Sequence, residues 1–524
     1  MTPPPARDPT RPEDGVKAGG SVDEDRPLAS LWPASEPRGG TDSSLQRATG
    51  FDPRVAGPFD EHGEPAPPRA PRLGEALRYW LRLGCISFGG PAGQIALMHE
   101  ELVERRRWIS EGRFLHALNY CMLLPGPEAQ QLATYLGWLL HRTLGGVIAG
   151  VLFVLPSLVL LVALAAAYVA WGDVPLVAAL FYGIKPAVVA LVVQAAHRLA
   201  TRTLRSAALW AIAVSGFLAV AVLHAPFALV VVAAALVGFA GARLAPRHFA
   251  GPPAAHGPGR ARPGERAPAL IDDHTPAPPH ARHHAWRTAG VVVAGLLLWA
   301  LPMALLARVF GAQGVATQMG AFFTQAALLT FGGAYAVLPF VYQGAVVQHG
   351  WVSASQMMDG LALGESTPGP LIMVVAFVAF VGGWHSPQMA AHAAALGPAA
   401  PYAAGVLCAL VATWFTFLPS FVFILAGGPL VESTRGRIGF TGPLTAITAA
   451  VCGVILNLAL FFAGHVLWPA GFAGAFDAAA ALIGALALWA LVVKRRGVIE
   501  VLGASAVAGA LAHLGLPASV RLVG

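Results

Sequence analysis

The feature that most constrains this chain is a series of long apolar segments with little polar sequence between them. Residues 147–170, 174–196, 207–223 and 226–242 are four such segments. Each is close to the ~20 residues that an α-helix needs to cross the hydrocarbon core of a bilayer. Only 12% of the residues are charged, about half of what a soluble protein carries. The sequence therefore predicts an all-α polytopic membrane protein, with about 10–13 membrane segments depending on how short hairpins are counted.

Two polar, low-complexity stretches interrupt this apolar pattern. Residues 1–71 are rich in Pro, Gly and charged residues and contain too little apolar surface to fold alone. Residues 243–287 are rich in Arg, His and Pro; a metal-binding histidine tract is the alternative to a solvated linker, which we favour. We therefore expect a disordered N-terminal tail at 1–71, membrane repeats at 72–242 and 288–515, a linker at 243–287 and a C-terminal tail at 516–524.

Short motifs recur in the two apolar halves at a constant spacing of 243 residues, as from Phe88 to Phe331. The pairs are Phe88-Gly89-Gly90-Pro91 with Phe331-Gly332-Gly333-Ala334, Trp108 with Trp351, and Pro125-Gly126-Pro127 with Pro368-Gly369-Pro370. A later pair, Leu-Pro-Ser at 155–157 and 418–420, is 263 residues apart, which indicates a 20-residue insertion near 387–401. The halves are therefore predicted to be repeats, a common feature of transporters.

Lys and Arg residues predict how the repeats are oriented, because they mark the cytoplasmic ends of membrane helices. Arg105, Arg106 and Arg107 follow the first Phe-Gly-Gly motif, and the linker is rich in Arg, so both are assigned to the cytoplasm. Residues 310–434 contain neither Lys nor Arg, so the second pair of motifs is assigned to the opposite side. The repeats are predicted to be inverted, which is typical of alternating-access carriers.

The segments on either side of the first Pro-Gly-Pro motif are too short to cross a bilayer. As helices, residues 115–124 and 127–140 would each extend about 15–21 Å, against a hydrocarbon core of about 30 Å. We expect re-entrant hairpins that turn at the Pro-Gly-Pro and Phe-Gly-Gly motifs of both repeats. Glycine leaves backbone N–H groups uncovered, and a helix N-terminus carries partial positive charge, so converging tips would bind a small oxyanion. At any single motif, a purely structural kink is the alternative.

The candidate substrate-binding residues are the tip residues, the polar side chains next to them, and one lysine in the middle of a membrane segment. They are Gly89, Gly90, Pro91, Gln94, Asn119, Pro125, Gly126, Pro127, Gln130, Gln131, Lys185, Gly332, Gly333, Thr367, Pro368, Gly369 and Pro370. A lysine at the depth expected for Lys185 indicates a function, and snorkelling to the membrane interface is the alternative.

Four titratable side chains near the tips are candidates for proton coupling: Glu128, Glu365, His99 and His116. A carboxylate in hydrocarbon is costly, so we expect both glutamates to face a polar cavity or to be protonated. Glu128 also suits the first turn of a helix, where it would only complement the helix dipole. The sequence contains no P-loop, HExxH, GxSxG or dinucleotide-binding motif, so we expect neither an enzyme nor an ATP-driven pump, and no cofactor or metal.

Around these residues the sequence resembles the chromate ion transporter (CHR) family in its long, two-domain form. The resemblance covers roughly residues 73–514, and neither the tail nor the His-rich linker belongs to the family pattern. It rests on Phe88 to Pro91 with Gln94 to Ala96 and Met98 to His99, on Glu104 to Ile109 with Phe114 and Leu115, on Ala117 to Leu132, and on Gly364 to Pro370.

The resemblance implies a secondary transporter that exports chromate across the bacterial inner membrane, draws on the proton-motive force and confers chromate resistance. The tail and the linker would lie in the cytoplasm. The expected partners are chromate, sulfate as its competitor, protons and the bilayer; a homodimer is compatible with this plan. Nucleic acid is not expected, because the net charge of +7 is assigned to cytoplasmic loops. Two alternatives stay open: a carrier of sulfate or a related oxyanion, and an anion channel or non-transporting membrane scaffold.

Overall fold

The computed structural model describes residues 68–88, 90–172, 174–249, 268–273, 275–276, 278–331, 333–433 and 441–515. Within these residues the chain is α-helical, and its β-structure is limited to an isolated backbone bridge between Ile109 and Ile271. The predicted all-α polytopic membrane fold is confirmed. Nearly all of the N-terminal tail, the middle of the linker, the C-terminal tail and the candidate residues Gly89 and Gly332 lie outside the described residues.

The first half of the chain forms seven α-helices in its described part. They are α1 Leu73–Ile86, α2 Gly90–His99, α3 Glu111–Leu123, α4 Glu128–Trp171, α5 Pro175–Thr203, α6 Ala207–Ala221 and α7 Phe227–Leu244. A π-helical turn, Glu100–Arg105, continues α2. The long α4 is interrupted at His141 and Arg142, whose backbone angles are not helical. This break separates the short arm that follows Pro127 from the segment that is long enough to cross the membrane.

The second half forms ten α-helices in its described part. They are α8 Ala285–Phe310, α9 Val315–Leu329, α10 Leu338–Tyr342, α11 Ala354–Ser366, α12 Val374–Trp384, α13 Pro387–His392, α14 Ala400–Ser433, α15 Thr441–Leu467, α16 Ala478–Val492 and α17 Val498–Gly515. A π-helical turn, Gln343–Gln348, follows α10. α13 and the 3-10 turn Ala394–Ala399 occupy the place of the insertion.

Equivalent elements of the two halves begin and end at equivalent residues. The π-helical turns Glu100–Arg105 and Gln343–Gln348 are 243 positions apart at both ends. The same holds for α3 and α11, each of which begins after a serine whose hydroxyl accepts a hydrogen bond from a backbone N–H of the first turn, Ser110 and Ser353. The motif spacing is therefore carried into the secondary structure.

Several helices are long and apolar enough to cross a membrane. Among the described residues these are α4, α5, α7, α8, α14 with the turn before it, and α15. Leucines such as Leu236, Leu301 and Leu511 are mostly exposed on the outside of the bundle. In a membrane protein such side chains face lipid, which offers them an apolar environment.

α12 lies in the interior of the bundle. Every residue from Val374 to Gly383 is buried, and the helix packs against α14 and α4. With 11 residues it is about 16 Å long, too short to cross a bilayer. A helix that is apolar on all sides is expected to be enclosed by other helices, as α12 is.

Part of the linker is docked on the first repeat. The N–H groups of Leu270 and Ile271 donate to the carbonyls of Arg107 and Trp108 at 2.9 and 3.1 Å. The N–H of Ser110 donates to the carbonyl of Ile271 at 3.0 Å. The sequence predicts a solvated linker. This short stretch instead forms backbone hydrogen bonds with residues 107–110 of the first repeat.

Candidate anion site at the helix breaks

The tips of the two repeats are hydrogen bonded to each other. The N–H of Gly126 donates to the carbonyl of Thr330 at 2.8 Å, and the N–H of Gly369 donates to the carbonyl of Ser87 at 2.9 Å. Thr330 and Ser87 stand directly before the two Phe-Gly-Gly motifs. Each Pro-Gly-Pro turn is therefore held against the Phe-Gly-Gly turn of the other repeat. These two N–H groups are occupied by protein carbonyls, in contrast to the uncovered glycine amides that the sequence predicts.

Both Pro-Gly-Pro glycines are required by the local backbone. Gly126 has φ +122° and Gly369 has φ +111°, values that side chains with a Cβ rarely adopt. A Cβ on Gly126 would meet the hydroxyl of Ser420, and a Cβ on Gly369 would lie 2.5 Å from the Cβ of Ser157. Ser157 and Ser420 are the serines of the two Leu-Pro-Ser motifs. Each turn thus also presses against a helix of the other repeat.

Two buried glutamines brace the tips. The Nε2 of Gln94 donates to the carbonyl of Gly369 at 2.6 Å. The Nε2 of Gln131 donates to the carbonyl of Pro125 at 2.7 Å and to the hydroxyl of Ser420 at 3.3 Å. Since their amide donors are used in this way, Gln94 and Gln131 stabilise the turns. Gln130, also fully buried, donates to Thr134 at 3.0 Å.

The two tip glutamates lie beside the Phe-Gly-Gly segment of the second repeat. Glu128 is the first residue of α4, and its Oε1 is 3.9 Å from where a Cβ on Gly333 would be. Glu365 accepts a hydrogen bond from the hydroxyl of Tyr335. Both glutamates are half-buried. Carboxylates from both repeats therefore reach the same region.

Two arginines on α5 act on these glutamates. The charge of Arg202 attracts the Glu128 carboxylate, and the charge of Arg198 attracts the Glu365 carboxylate. Arg198 and Arg202 are exposed and are four residues apart, so they lie on one face of the helix. Neither arginine is among the candidates predicted from the sequence; their spacing of four residues is the signal that could have indicated an anion-attracting face.

The remaining candidates are distributed as follows. Thr367 is buried and donates to the carbonyl of Gly364 at 3.0 Å, which braces the second turn from within. Gly90, with φ +74°, forms the first Phe-Gly-Gly turn, and Asn119 is exposed. Lys185 is half-buried in the middle of α5, away from the ends of the helix. The prolines occupy their turns as follows: Pro125 and Pro127 flank Gly126, Pro368 and Pro370 flank Gly369, and Pro91 follows Gly90.

The two candidate histidines are engaged elsewhere. His99 ends α2, about 13 Å along the helix from Gly90, and its Nε2 lies 2.9 Å from Oε2 of Glu111. The Nε2 of His116 is 3.3 Å from the carbonyl of Val431. Among the described residues, the glutamates are the titratable groups seen beside the turns, through the contacts of Glu128 with Gly333 and of Glu365 with Tyr335.

Comparison with known proteins identifies the family to which these features belong. A sequence profile described as "Chromate transporter" matches residues 74–239 and 317–510, which include the recurring motifs of both halves. No solved structure gives a significant match.

Curated relatives match over most of their own length. The chromate transport protein of Pseudomonas aeruginosa is 32% identical over 415 residues, 79% of this chain and 85% of the relative. That of Cupriavidus metallidurans is 27% identical over 393 residues, 75% of this chain and 82% of the relative. A probable chromate transport protein of Synechococcus elongatus is 28% identical over 397 residues, 74% of this chain and 84% of the relative.

Proposed function

Because this chain belongs to the chromate transporter family, we propose that it is a secondary transporter that exports chromate from the cytoplasm across the bacterial inner membrane. The tail and the linker lie on the cytoplasmic side in this proposal, and export confers resistance to chromate. The substrate is proposed from relatives that are named as chromate transport proteins. The mechanism is proposed from the paired tips.

The observation that carries the proposal is the reciprocal bonding of the tips, Gly126 to Thr330 and Gly369 to Ser87. Each repeat contributes one Pro-Gly-Pro turn and one Phe-Gly-Gly turn to these contacts. The two repeats can therefore rock about the junction without breaking the contacts. In an inverted-repeat carrier this motion exposes a central site first to one side and then to the other. We place the oxyanion at this junction.

The anion would be held by helix N-termini and attracted by arginines. The first turn of α4, which begins at Glu128, has backbone N–H groups with no partner inside the helix, and it carries the positive end of the helix dipole. Since the Gly126 amide is occupied, these following N–H groups are the donors that we propose for an oxyanion. Arg198 and Arg202 would concentrate anions at the cytoplasmic opening.

The membrane potential favours export of a dianion. An inside-negative potential contributes about 2.3 kcal/mol per charge for each 100 mV, and about twice that for two charges. Glu128 and Glu365 are proposed to add coupling to the proton gradient, because each lies beside the junction and near one arginine.

Everted membrane vesicles test the proposal. Energised vesicles should accumulate chromate against its gradient, a protonophore should abolish the accumulation, and a large excess of sulfate should inhibit only weakly. Vesicles with the Gly126→Val variant, present at equal amount in the membrane, provide the control. Equilibration without accumulation would indicate a channel, and strong inhibition by sulfate would indicate a sulfate carrier.

A further inference from the structure

A buried carboxylate that the tips do not use lies in α11. Asp359 is only 3% exposed and stands seven residues before the end of a helix that is otherwise apolar around it. The neighbouring Gly360 faces the ring of Phe377 on α12. An ionisable residue in such surroundings is expensive to keep, and in membrane proteins it usually marks a functional site.

One oxygen of Asp359 is bound and the other is not. The hydroxyl of Tyr168, near the end of α4, donates to Oδ2 at 2.9 Å. Oδ1 is buried and accepts no hydrogen bond from the part of the chain that the structure describes. The ring of Tyr168 packs against Phe377 and Phe181, with centroids 5.2 and 5.4 Å away. The contact therefore joins α11 of the second repeat to the end of α4 in the first.

Among the described residues, one cation acts on this carboxylate. Lys185 lies on α5, one helical turn beyond Phe181, and its charge attracts Asp359. The other neighbours of α11 offer no competing charge at this point: α12 contains no titratable residue. The ionisable groups of α15 and α17 have other partners. His465 contacts Phe461, His513 contacts Tyr182, and Glu500 faces Arg496. Cys452 on α15 is a buried free cysteine. On α11 itself the nearest titratable residue is Glu365, bound by Tyr335.

The contact between Asp359 and Tyr168 has an equivalent at the corresponding positions of the two repeats. The residue 243 positions before Asp359 is His116, and the residue 263 positions after Tyr168 is Val431. His116 and Val431 are in contact, at 3.3 Å. The α11–α4 contact and the α3–α14 contact are therefore equivalent, and in inverted repeats equivalent contacts close opposite sides of the membrane. The α3–α14 contact adjoins the docked linker, because Arg113 beside it binds the carbonyl of Asp272.

We propose that Asp359 is the proton-binding residue of an outer gate formed by α11 and the end of α4. When the gate opens, water reaches Oδ1 and a proton from outside converts the carboxylate to the neutral acid. The neutral acid can be buried again, so the gate closes. Asp359 then loses this proton towards the cytoplasm and is charged again. Because Lys185 compensates the charge only in part, the buried carboxylate destabilises the closed gate and favours its reopening. One proton enters for each cycle of the gate.

The proposal rests on the transport cycle proposed above, but its test measures gate opening and not chromate flux. A single cysteine is introduced at the exposed Ser366, next to the second Pro-Gly-Pro turn, in a background without other cysteines. An impermeant maleimide is added to right-side-out vesicles. Because maleimide reacts with the thiolate, whose fraction itself falls with pH, each labelling rate is divided by the rate of the same cysteine in unfolded protein at the same pH, and all labelling compared here is this ratio. Labelling so corrected should slow as the external pH falls, by up to about tenfold per pH unit, the limit for one proton. In Asp359→Asn, labelling should be slow at every pH.

A matched control uses another tyrosine–aspartate contact. The hydroxyl of Tyr182 donates to Asp477 at 2.7 Å, at the N-terminus of α16. Asn is as good an N-cap as Asp, so Asp477→Asn should keep the pH dependence of the parent protein. Tyr168→Phe should also keep it, with faster labelling at all pH values because the gate loses one hydrogen bond.

Three outcomes would overturn the proposal: labelling of the parent protein that does not depend on pH, labelling of Asp359→Asn that depends on pH as in the parent, or fast labelling of Asp359→Asn throughout. If Asp359→Asn fails to insert, the double variant Asp359→Asn with Lys185→Gln removes both charges, and slow, pH-independent labelling is again expected. A parent protein that shows the gating but does not transport chromate would contradict the proposed function and not this inference.

Discussion

Gly126 and Gly369 connect backbone conformation to transport. Each combines a positive φ with a serine of the other repeat at the position of its absent Cβ. A residue held in this region against its preference costs on the order of 1–3 kcal/mol, and the serine must also move. We expect this energetic cost to be confined to the turns, because the helices that they join are held by their own packing contacts.

We therefore expect Gly126→Val and Gly369→Val to insert in the membrane but to reduce chromate accumulation in everted vesicles by about tenfold or more, since about 1.4 kcal/mol corresponds to tenfold. Gly290→Val is the control, because no atom outside its own stretch of helix lies within 4 Å of its Cβ position and its φ is not positive. Accumulation at the parent level in either tip variant would show that transport does not require the backbone conformation of that turn.

The glutamates at the junction predict how transport depends on pH. Glu128→Gln and Glu365→Gln each remove a carboxylate that an arginine attracts, so the initial rate of chromate uptake should depend less steeply on pH in each variant. Glu500→Gln, on an exposed side chain, should leave the profile unchanged. If both tip variants retain the parent profile, neither glutamate couples protons.

Single residues differ in how far the sequence could identify them. Gly126, Glu128 and Glu365 could be found because they lie in or next to motifs that recur. Asp359 was missed because its equivalent in the first repeat is His116, so no recurring motif points to it. A side chain that only one repeat needs leaves no signal in a comparison of the repeats.

Among the elements, α4 shows how local and tertiary effects combine. A continuous helix of 44 residues would be about 66 Å long, twice the thickness of the hydrocarbon core. The break at His141 and Arg142, where Arg142 has φ +58°, resolves this conflict. The lengths of the apolar segments predicted two pieces, but not that they would stay joined.

The docking of Leu270 and Ile271 could not be predicted at all, because it depends on the backbone groups that residues 107–110 present after folding.

The contact between α3 and α14 predicts a stability effect. Nη1 of Arg113 and Oε2 of Glu432 are 2.9 Å apart, and both side chains are 2% exposed. The hydroxyl of Tyr135 donates to Oε1 of Glu432 at 2.7 Å. Removal of one member of such a pair leaves a buried charge uncompensated, which costs about 3–5 kcal/mol.

Arg113→Met and Glu432→Leu should each lower the thermal unfolding temperature of the purified protein in detergent, and the double variant should recover much of the loss. Arg496→Met with Glu500→Leu, an exposed pair at 3.8 Å, should have little effect, as surface pairs contribute at most about 1 kcal/mol. Additive losses in the Arg113–Glu432 cycle would show that the two charges are not coupled.

At the scale of the whole molecule, the repeats are interlocked and not merely adjacent. The first Pro-Gly-Pro turn is completed by Thr330 and Ser420, and the second by Ser87 and Ser157. The motif spacing alone predicted that two such halves exist. It could not predict that each turn is completed by the other half, because the sequence distance between repeats carries no information on which parts meet.

The direction of each repeat in the membrane is the assumption on which alternating access depends, and a matched pair of surface positions tests it. Glu104 and Val347 are 243 residues apart in the equivalent π-helical turns, and both are exposed. In a protein whose own cysteines, Cys85, Cys121, Cys408 and Cys452, have been replaced, Glu104→Cys should react with an impermeant maleimide only from the cytoplasmic side, because Arg105 to Arg107 follow it. Val347→Cys should react only from the outside. Reaction of both from one side would mean parallel repeats, and the equivalent α3–α14 and α11–α4 contacts could then not close opposite mouths.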